Sequence, residues 1–417
     1  MAAGILVGGP LASREARAMS ANEKIVVAHI GVGGMGMGHL SWFAGFPDVE
    51  IAAVCDVDSK RAQAALKRLK EIHPDSQAVA VTDFRRVLDR PDIDAITYAT
   101  PDHWHALNAI MAFQAGKHVY GEKPLCHDVA EGYAMLKACK RYKRTFQLGT
   151  QIHAGDNYHR VVELVRSGVL GRIHTVRLWK EGGNANLAVQ PDSDPPPGLD
   201  WDMWLGPARR RPFNASMCPY NFRFFWDYSG GVFADFWCHV ADLACWALDL
   251  DAPLTISATG NDPVSGAEET PGYMDAEFEF KDLKMTWHSR VPDIRGARGR
   301  GLGVQFVGDK GELVSDYHSR SIFIGDKQYD DLPDVPQSLP RSPGHQRNFL
   351  DCIRSGAETE SNMAYAVRMA LPMHLALISY RLGRKLAWDS VTGKFVNDDA
   401  ANRMRHRPYR SPWTLPG

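Results

Sequence analysis

The sequence predicts two fused domains: an α/β domain with a parallel sheet in the N-terminal third, then an α+β domain with an open, mostly antiparallel sheet. Three observations predict this. Short apolar runs alternate with helix-length segments up to residue 149. The first of those runs empties into a glycine-rich turn, Gly31-Val32-Gly33-Gly34-Met35-Gly36. Beyond residue 150, strand-like alternation recurs without intervening helices. A chain of 417 residues has the length for two domains. The expected boundaries are 1–22 for an N-terminal arm, 23–149 and 150–388 for the two domains, and 389–417 for a C-terminal arm.

Composition narrows the function classes. Hydrophobic residues make up 44% and charged residues 23%, as in an ordinary globular enzyme. The net charge of −1, from 48 basic and 49 acidic residues, leaves no electrostatic footprint for nucleic acid or an anionic membrane. Seven cysteines without a CxxC pair argue against a disulfide framework or a structural zinc site, and for free thiols. No run is apolar enough to span a bilayer. Ala2 to Ala12 is small and apolar, and Ala16-Arg17-Ala18 has the form of a signal cleavage site, yet a basic start is missing. A flexible arm and a signal remnant both fit, so cytoplasm and periplasm stay open.

In order along the chain, Ile25 to Ile30 is a β-branched apolar run and reads as a buried parallel strand. The glycine turn follows, then a helix through Leu40 and Phe43, then a strand from Val49 to Cys55 that ends in Asp56. This order is what a dinucleotide needs. One glycine makes the tight turn, one lets the backbone approach a pyrophosphate, and one lets helix and strand pack closely. The diphosphate would sit on free N–H groups at the helix start. Asp56 would accept from the adenosine ribose and repel a 2′-phosphate, favouring NAD over NADP, although Lys60 and Arg61 nearby could tolerate a phosphate. Gln63 to Ile72 reads as helix, Ala78 to Val81 as strand, Phe84 to Leu88 as helix and Ile93 to Tyr98 as strand. His105 to Ala115 is then helix and His118 to Tyr120 strand. Ligands bind beyond the carboxyl ends of such strands. Two of those ends are chemically loaded: Thr100-Pro101-Asp102-His103-Trp104-His105, and Gly121-Glu122-Lys123-Pro124.

With these motifs and a distal Gly230-Gly231-x-x-x-Asp235-x-x-x-His239-x-x-Asp242, the sequence resembles the glucose–fructose oxidoreductase / inositol dehydrogenase (Gfo/Idh/MocA) family from about Lys24 onward. The resemblance implies a Rossmann domain and NAD, with NADP possible. It implies Lys123, Asp235 and His239 as the catalytic group, and subunits that meet on the open sheet as a homodimer or homotetramer. Trp201-Asp202-x-Trp204-Leu205-Gly206-Pro207 and Phe225-Trp226-Asp227-Tyr228 resemble one branch of that family, which does not name a substrate. The cofactor set expected is Gly31, Gly33, Gly34, Met35, Gly36, Asp56, Thr100, Pro101, His103, His105, Glu122, Lys123 and Gln151.

The residues also argue for themselves. Asp235, His239 and Asp242 are spaced by four and three, along one face of a helix. Oxidising a secondary alcohol needs a base for the hydroxyl proton, and histidine titrates near neutrality. Lys123 can stabilise developing alkoxide charge, or accept the proton if its pKa falls; the sequence leaves that choice open. Pro124 could carry a cis bond that directs the lysine. His103, His105, Cys126, His127, Cys238 and His239 lack a recognised ligand spacing, so no metal is expected.

In the second domain, Ile173 to Lys180, Leu254 to Ala258, a hairpin over Asp275 to His288, Gly303 to Val307 and Glu312 to Ser315 read as strands. The long stretch from Gly182 to Tyr228 has little periodicity but carries Trp201, Trp204, Tyr220, Phe222, Arg223 and Phe225. It suits a platform for a sugar, glycoside or cyclitol, and equally a core-packing insertion or a subunit contact. Substrate contacts are expected from Lys123, Arg223, Asp235 and His239, with His153, Tyr158 and His345 as weaker candidates. The C-terminal arm shows no helix or strand period and should dock on its own chain or on a neighbour. Two enzymatic outcomes share these residues: net hydride transfer, or a redox-assisted glycosidase that restores its cofactor.

Overall fold

The computed structural model describes residues 24–183, 186–262 and 266–416. The N-terminal arm or signal remnant expected at 1–22 lies outside the described residues.

The first domain is a single parallel sheet of β1 (Ile25–Ile30), β2 (Val49–Cys55), β3 (Val79–Val81), β4 (Ala95–Tyr98), β5 (His118–Glu122) and β6 (Phe146–Gly149). Its spatial order is β3-β2-β1-β4-β5-β6. Winding reverses between β1 and β4, so a crevice opens there beyond the strand ends. Five helices connect these strands: α1 (Gly34–Ala44), α2 (Ser59–Ile72), α3 (Phe84–Leu88), α4 (His105–Gln114) and α5 (Val129–Tyr142). β1 and β4 are almost wholly buried because helices cover both faces of the sheet, which is why they read as continuous apolar runs. Leu40, Phe43 and Leu69 pack in one core with Phe349, while Leu107, Phe113 and Met135 pack in another. The starts of α2 and α5 are fixed by acids. Asp58 accepts from the backbone N–H of Lys60 at 2.9 Å and Asp128 from that of Glu131 at 2.9 Å, each cap contributing about 1 kcal/mol.

The second domain centres on a ten-stranded sheet. In spatial order its strands are Lys327–Tyr329, Arg320–Ile324, Glu312–Ser315, Leu302–Gly308, Ile173–Lys180, Lys284–His288, Met274–Glu279, Thr255–Gly260, Leu386–Asp389 and Lys394–Phe395. Neighbours are antiparallel except Ile173–Lys180 with Lys284–His288, which run parallel, so the sheet is mixed and mostly antiparallel. The chain also forms α6 (Asp156–Arg166), α7 (Trp201–Leu205), α8 (Gly231–Leu248), α9 (His345–Ser355), α10 (Met363–Leu382) and α11 (Asp399–Arg403). α8 and α10 pack on the sheet over buried Trp237, Phe278, Trp287 and Phe306.

Some elements went unread in the sequence. The edge strands Arg320–Ile324 and Lys327–Tyr329 and the helices α9 and α10 are among them. The C-terminal arm is not devoid of structure, as its lack of period suggested. Lys394–Phe395 pairs with the strand Leu386–Asp389, and α11 follows, capped by Asp398. A strand of two residues and a helix of five are too short to carry a period. They are held instead by the Asn402 side chain, which bonds both the N–H and the C=O of Phe395.

Candidate functional site

The crevice beyond β1 and β4 is a cleft of about 460 Å³, within the usual range for ligand sites. Its floor is the glycine turn. Gly31 has φ +76°, and a Cβ there would lie 2.8 Å from the Ala99 carbonyl, so only glycine lets the chain pass so close to β4. At Gly36 a Cβ would lie 1.9 Å from the Gly31 carbonyl, so this glycine seats α1 against β1. A Cβ at Gly34 would meet nothing within 4 Å, which leaves the first turn of α1 open to the cleft. No side chain caps α1, and its first turn holds no acid. The N–H groups there are therefore free for a diphosphate.

At the far end of β2, Asp56 accepts from the N–H of Val32 (3.0 Å) and of Asp58 (2.9 Å). Burial raises its pKa, opposed by those two donors. Its carboxylate braces the glycine turn and faces the cleft, with acceptor positions left for a ribose diol. Asp56→Ser should lower kcat/KM for NAD by about 10–100-fold, the worth of charge-assisted hydrogen bonds. The same change should raise the NADP-to-NAD ratio of kcat/KM; an unchanged ratio would remove Asp56 from cofactor selection.

The opposite end of the cleft is ionic. Lys123, at the end of β5, places Nζ 2.5 Å from Asp235 Oδ1 and 3.1 Å from the Asp235 carbonyl. Arg223 Nε lies 3.3 Å from the other Asp235 oxygen, with its guanidinium 4.7 Å from the ring centres of both Tyr220 and Phe222. Burial works against the charge on Lys123, but Asp235 and Glu122 outweigh it and hold its pKa above the usual lysine value. Burial likewise opposes the Asp235 carboxylate, and Lys123 with Arg223 overcomes it, so its pKa is lowered. Glu122 Oε1 is held by His39 (2.9 Å) and by the Gln151 amide (2.9 Å). His239 lies one turn beyond Asp235 on α8, beside the rings of Phe236 and Tyr317. Burial, then the charge on Lys123, lowers its pKa to about 4, so its imidazole is neutral at physiological pH. The Lys123–Pro124 peptide is cis.

Of the residues expected from the sequence, Gly31, Gly33, Gly34, Met35, Asp56, Thr100, Pro101, Glu122, Lys123, Arg223 and Asp235 line the cleft. Gly36 lies beneath it, and His239 lies outside its lining. Six other expected residues sit elsewhere. His103 is buried with Nε2 3.0 Å from the Trp204 carbonyl. His105 is buried with its ring nitrogens facing the carbonyls of Pro124 (2.6 Å) and Thr100 (2.9 Å), so it ties the two loaded loops together. Gln151 positions Glu122 from behind, donating also to the Tyr120 hydroxyl. His153 is buried behind α8, 3.0 Å from Asp242 and stacked on Trp246. The Tyr158 hydroxyl donates to the backbone carbonyl of His239 at 2.5 Å and so is spent on the helix. His345 is equally internal, against the Leu148 carbonyl.

The residue missed is Asp102, which directly precedes His103, lines the cleft and accepts a hydrogen bond from Ser229. Among the described residues the candidate metal group is His127, Asp128 and Glu131. Its carboxylates are already taken by Glu131 N–H, Arg407 N–H, His406, Tyr409 and His127 N–H.

The aromatic stretch between 186 and 230 serves two ends. Trp204, Phe213, Met217, Phe222, Phe225 and Tyr228 form a small core of their own. The same stretch forms the outer wall of the cleft through Pro196, Leu199, Met203 and Phe213. It is pinned beside Asp56: the Ser59 N–H donates to the Gly198 carbonyl (2.9 Å) and the Asp200 N–H to the Val57 carbonyl (2.9 Å).

Family models match nearly all of the chain. The "NAD-binding Rossmann fold" of an oxidoreductase family matches residues 25–150, and its "C-terminal alpha/beta domain" matches 156–415. The chain belongs to the Gfo/Idh/MocA oxidoreductase family. NAD is the cofactor of that Rossmann domain, and the open N–H groups and Asp56 suit it. Within this Gfo/Idh/MocA chain, 154 residues are 30% identical to an alpha-N-acetylgalactosaminidase of Shewanella oneidensis, covering 36% of the chain and 34% of that protein. The chain thus spans about a third of the length of the curated relatives it matches. The WlbA dehydrogenase of Bordetella pertussis, in complex with NADH and UDP-GlcNAcA, shares the fold at TM-score 0.66 and 18% identity, over 88% of this chain and 98% of that one. An aldose-aldose oxidoreductase of Caulobacter crescentus shares it at TM-score 0.64 and 19% identity, over 88% and 100%.

Proposed function

We propose that this protein is an NAD-dependent oxidoreductase acting on a secondary hydroxyl of a sugar, glycoside or cyclitol. The observation that carries the reading is the Lys123–Asp235 pair at one end of a cleft whose other end is built for a dinucleotide. NAD bound in that cleft would accept or supply the hydride. Lys123, held charged by Asp235 and Glu122, donates to the substrate oxygen and stabilises negative charge as it develops there. His239, one turn beyond Asp235 on α8 and just outside the cleft's lining, is neutral and would take the hydroxyl proton in the oxidation direction. Asp235 orients the lysine, and Arg223 orients Asp235. Sugars bound or processed by the structural neighbours agree with this substrate class.

The assignment of the base has a pH signature. If neutral His239 accepts the proton, kcat/KM for oxidation falls as pH drops through about 4, not through the ordinary histidine value. His239→Asn should abolish that limb and cost roughly 10²–10⁴-fold in rate. An acid limb that survives in His239→Asn would move the proton to another group.

A second reading is favoured by the wall beside Asp56. The Ser59 N–H donates to the Gly198 carbonyl and the Asp200 N–H to the Val57 carbonyl, so this segment lies over the Asp56 end of the cleft and would slow the exchange of a bound cofactor. A retained cofactor suits a glycosidase that oxidises a ring carbon, eliminates the glycosidic bond, adds water across the double bond so formed and re-reduces the same carbon. The partial match to an alpha-N-acetylgalactosaminidase points the same way. Purified protein incubated with NAD⁺ and a panel of sugars, cyclitols and glycosides separates the two. Accumulating NADH with a keto product supports the dehydrogenase. Cleavage without net NADH, by protein that carries NAD through purification, supports the glycosidase, and no turnover of any member would overturn both.

A further inference from the structure

The C-terminal arm bridges two loops that flank the cleft. Arg407 sends Nη1 to the Asp227 carbonyl (2.9 Å) and Nη2 to the His103 carbonyl (3.2 Å). Its own N–H is held by Asp128 (3.1 Å), and the buried Glu131 carboxylate lies 3.7 Å from Nη2. The two carbonyls belong to different domains. His103 sits in the loop after β4, whose Thr100, Pro101 and Asp102 line the cofactor cleft. Asp227 sits in the loop that leads through Ser229 and Gly230 into α8, the helix carrying Asp235 and His239. Beside the guanidinium, Ser229 donates to Asp102, and both are buried, so the loops meet twice at one point.

We infer that Arg407 is a positioning residue for hydride transfer, locking the cofactor-side loop to the loop that carries the catalytic helix. The inference rests on the reaction proposed above. A guanidinium is suited to this work: its planar fork satisfies two carbonyls in a fixed geometry, which a lysine ammonium does not. Behind the pair lies a second cavity of about 250 Å³, lined by Asp102, Ser229, Gly230 and Arg407 among others. Removing the guanidinium therefore lets water reach the joint instead of letting the loops close over the gap. Misplacing the reacting groups by about 1 Å costs on the order of 100-fold in rate. The lock thus acts on kcat rather than on affinity.

Arg410 supplies the control. It fastens the same arm to Asp202 and to the Gly206 carbonyl rather than to the His103 and Asp227 carbonyls. Arg407→Ala should lower kcat by about 10–100-fold with KM for NAD changed less than about threefold, and guanidinium ion in the assay should restore part of the loss. Arg410→Ala should lower the melting temperature comparably and leave kcat within about twofold, and Ser229→Ala should reproduce the kcat effect in smaller measure. Equal kcat losses in Arg407→Ala and Arg410→Ala, or none in either, would overturn the inference. If wild-type protein turns over no substrate, the proposed reaction fails and the lock is read without it. Emission of bound NADH should then change in Arg407→Ala and not in Arg410→Ala, and identical spectra would sink the lock as well.

Discussion

Lys123→Met should lower kcat by about 10²–10³-fold while NAD still binds, since the loss is of a donor aimed at developing negative charge. The substitution nearly conserves volume, so packing around β5 survives. Asp235 keeps Arg223 at 3.3 Å, which prevents a bare buried carboxylate, yet half of its charge compensation is gone. Stability should fall by about 1–3 kcal/mol, the cost of leaving a buried acceptor short of one partner. Steady-state kinetics on the substrate, NADH fluorescence titration and thermal denaturation measure the three effects separately. Lys123→Arg should not rescue activity, because a planar fork in place of a point donor cannot keep both the 2.5 Å contact to Asp235 and the reach to the substrate. Wild-type kcat in Lys123→Met would end the catalytic assignment.

Gly36→Ala should be as damaging, by a different route. The added methyl would lie 1.9 Å from the Gly31 carbonyl, and that neighbour is backbone, which cannot rotate away. The turn and α1 must separate, which spoils both helix–strand packing and the row of N–H groups that would hold a diphosphate. NAD affinity should fall by at least about 100-fold with a stability loss of roughly 1–3 kcal/mol. Gly34→Ala is the informative comparison, since a methyl there meets nothing in the protein. It should leave the melting temperature at or above wild type and weaken only cofactor binding. Equal melting temperatures for the two variants would refute the packing role of Gly36.

Whether a site residue was legible depended on what fixed its side chain. Asp56 and the glycines were legible because backbone geometry alone dictates their place: a tight turn, a helix start and a strand end. Lys123 and Asp235 were legible from chemistry and motif, though nothing local shows that they touch across 112 positions. His103 and His105 were misplaced because they share a loop with Asp102, and a single turn of 3₁₀ helix sends adjacent side chains in different directions. The 3₁₀ turn presents Asp102 to the cleft and buries His103, while His105 opens α4 and is buried there. His153 and Tyr158 were misplaced for a related reason, as polarity alone does not distinguish a substrate contact from a satisfied core group.

α5 and β6 went unread, but by itself the sequence determined the order of strands and helices in the first domain as far as β5, the dinucleotide turn, the acid at its far end and the sheet character of the second domain. Each is written in short-range periodicity, or in residues whose backbone needs are peculiar to them. Only the tertiary structure decided which polar side chains face the cleft, that the aromatic stretch walls it beside Asp56, and that Arg407 meets the His103 carbonyl across 304 positions. Those arrangements depend on contacts between segments far apart in the chain. Such contacts leave no local period, because the energy that selects them comes from burying and pairing groups that meet only after both domains have folded.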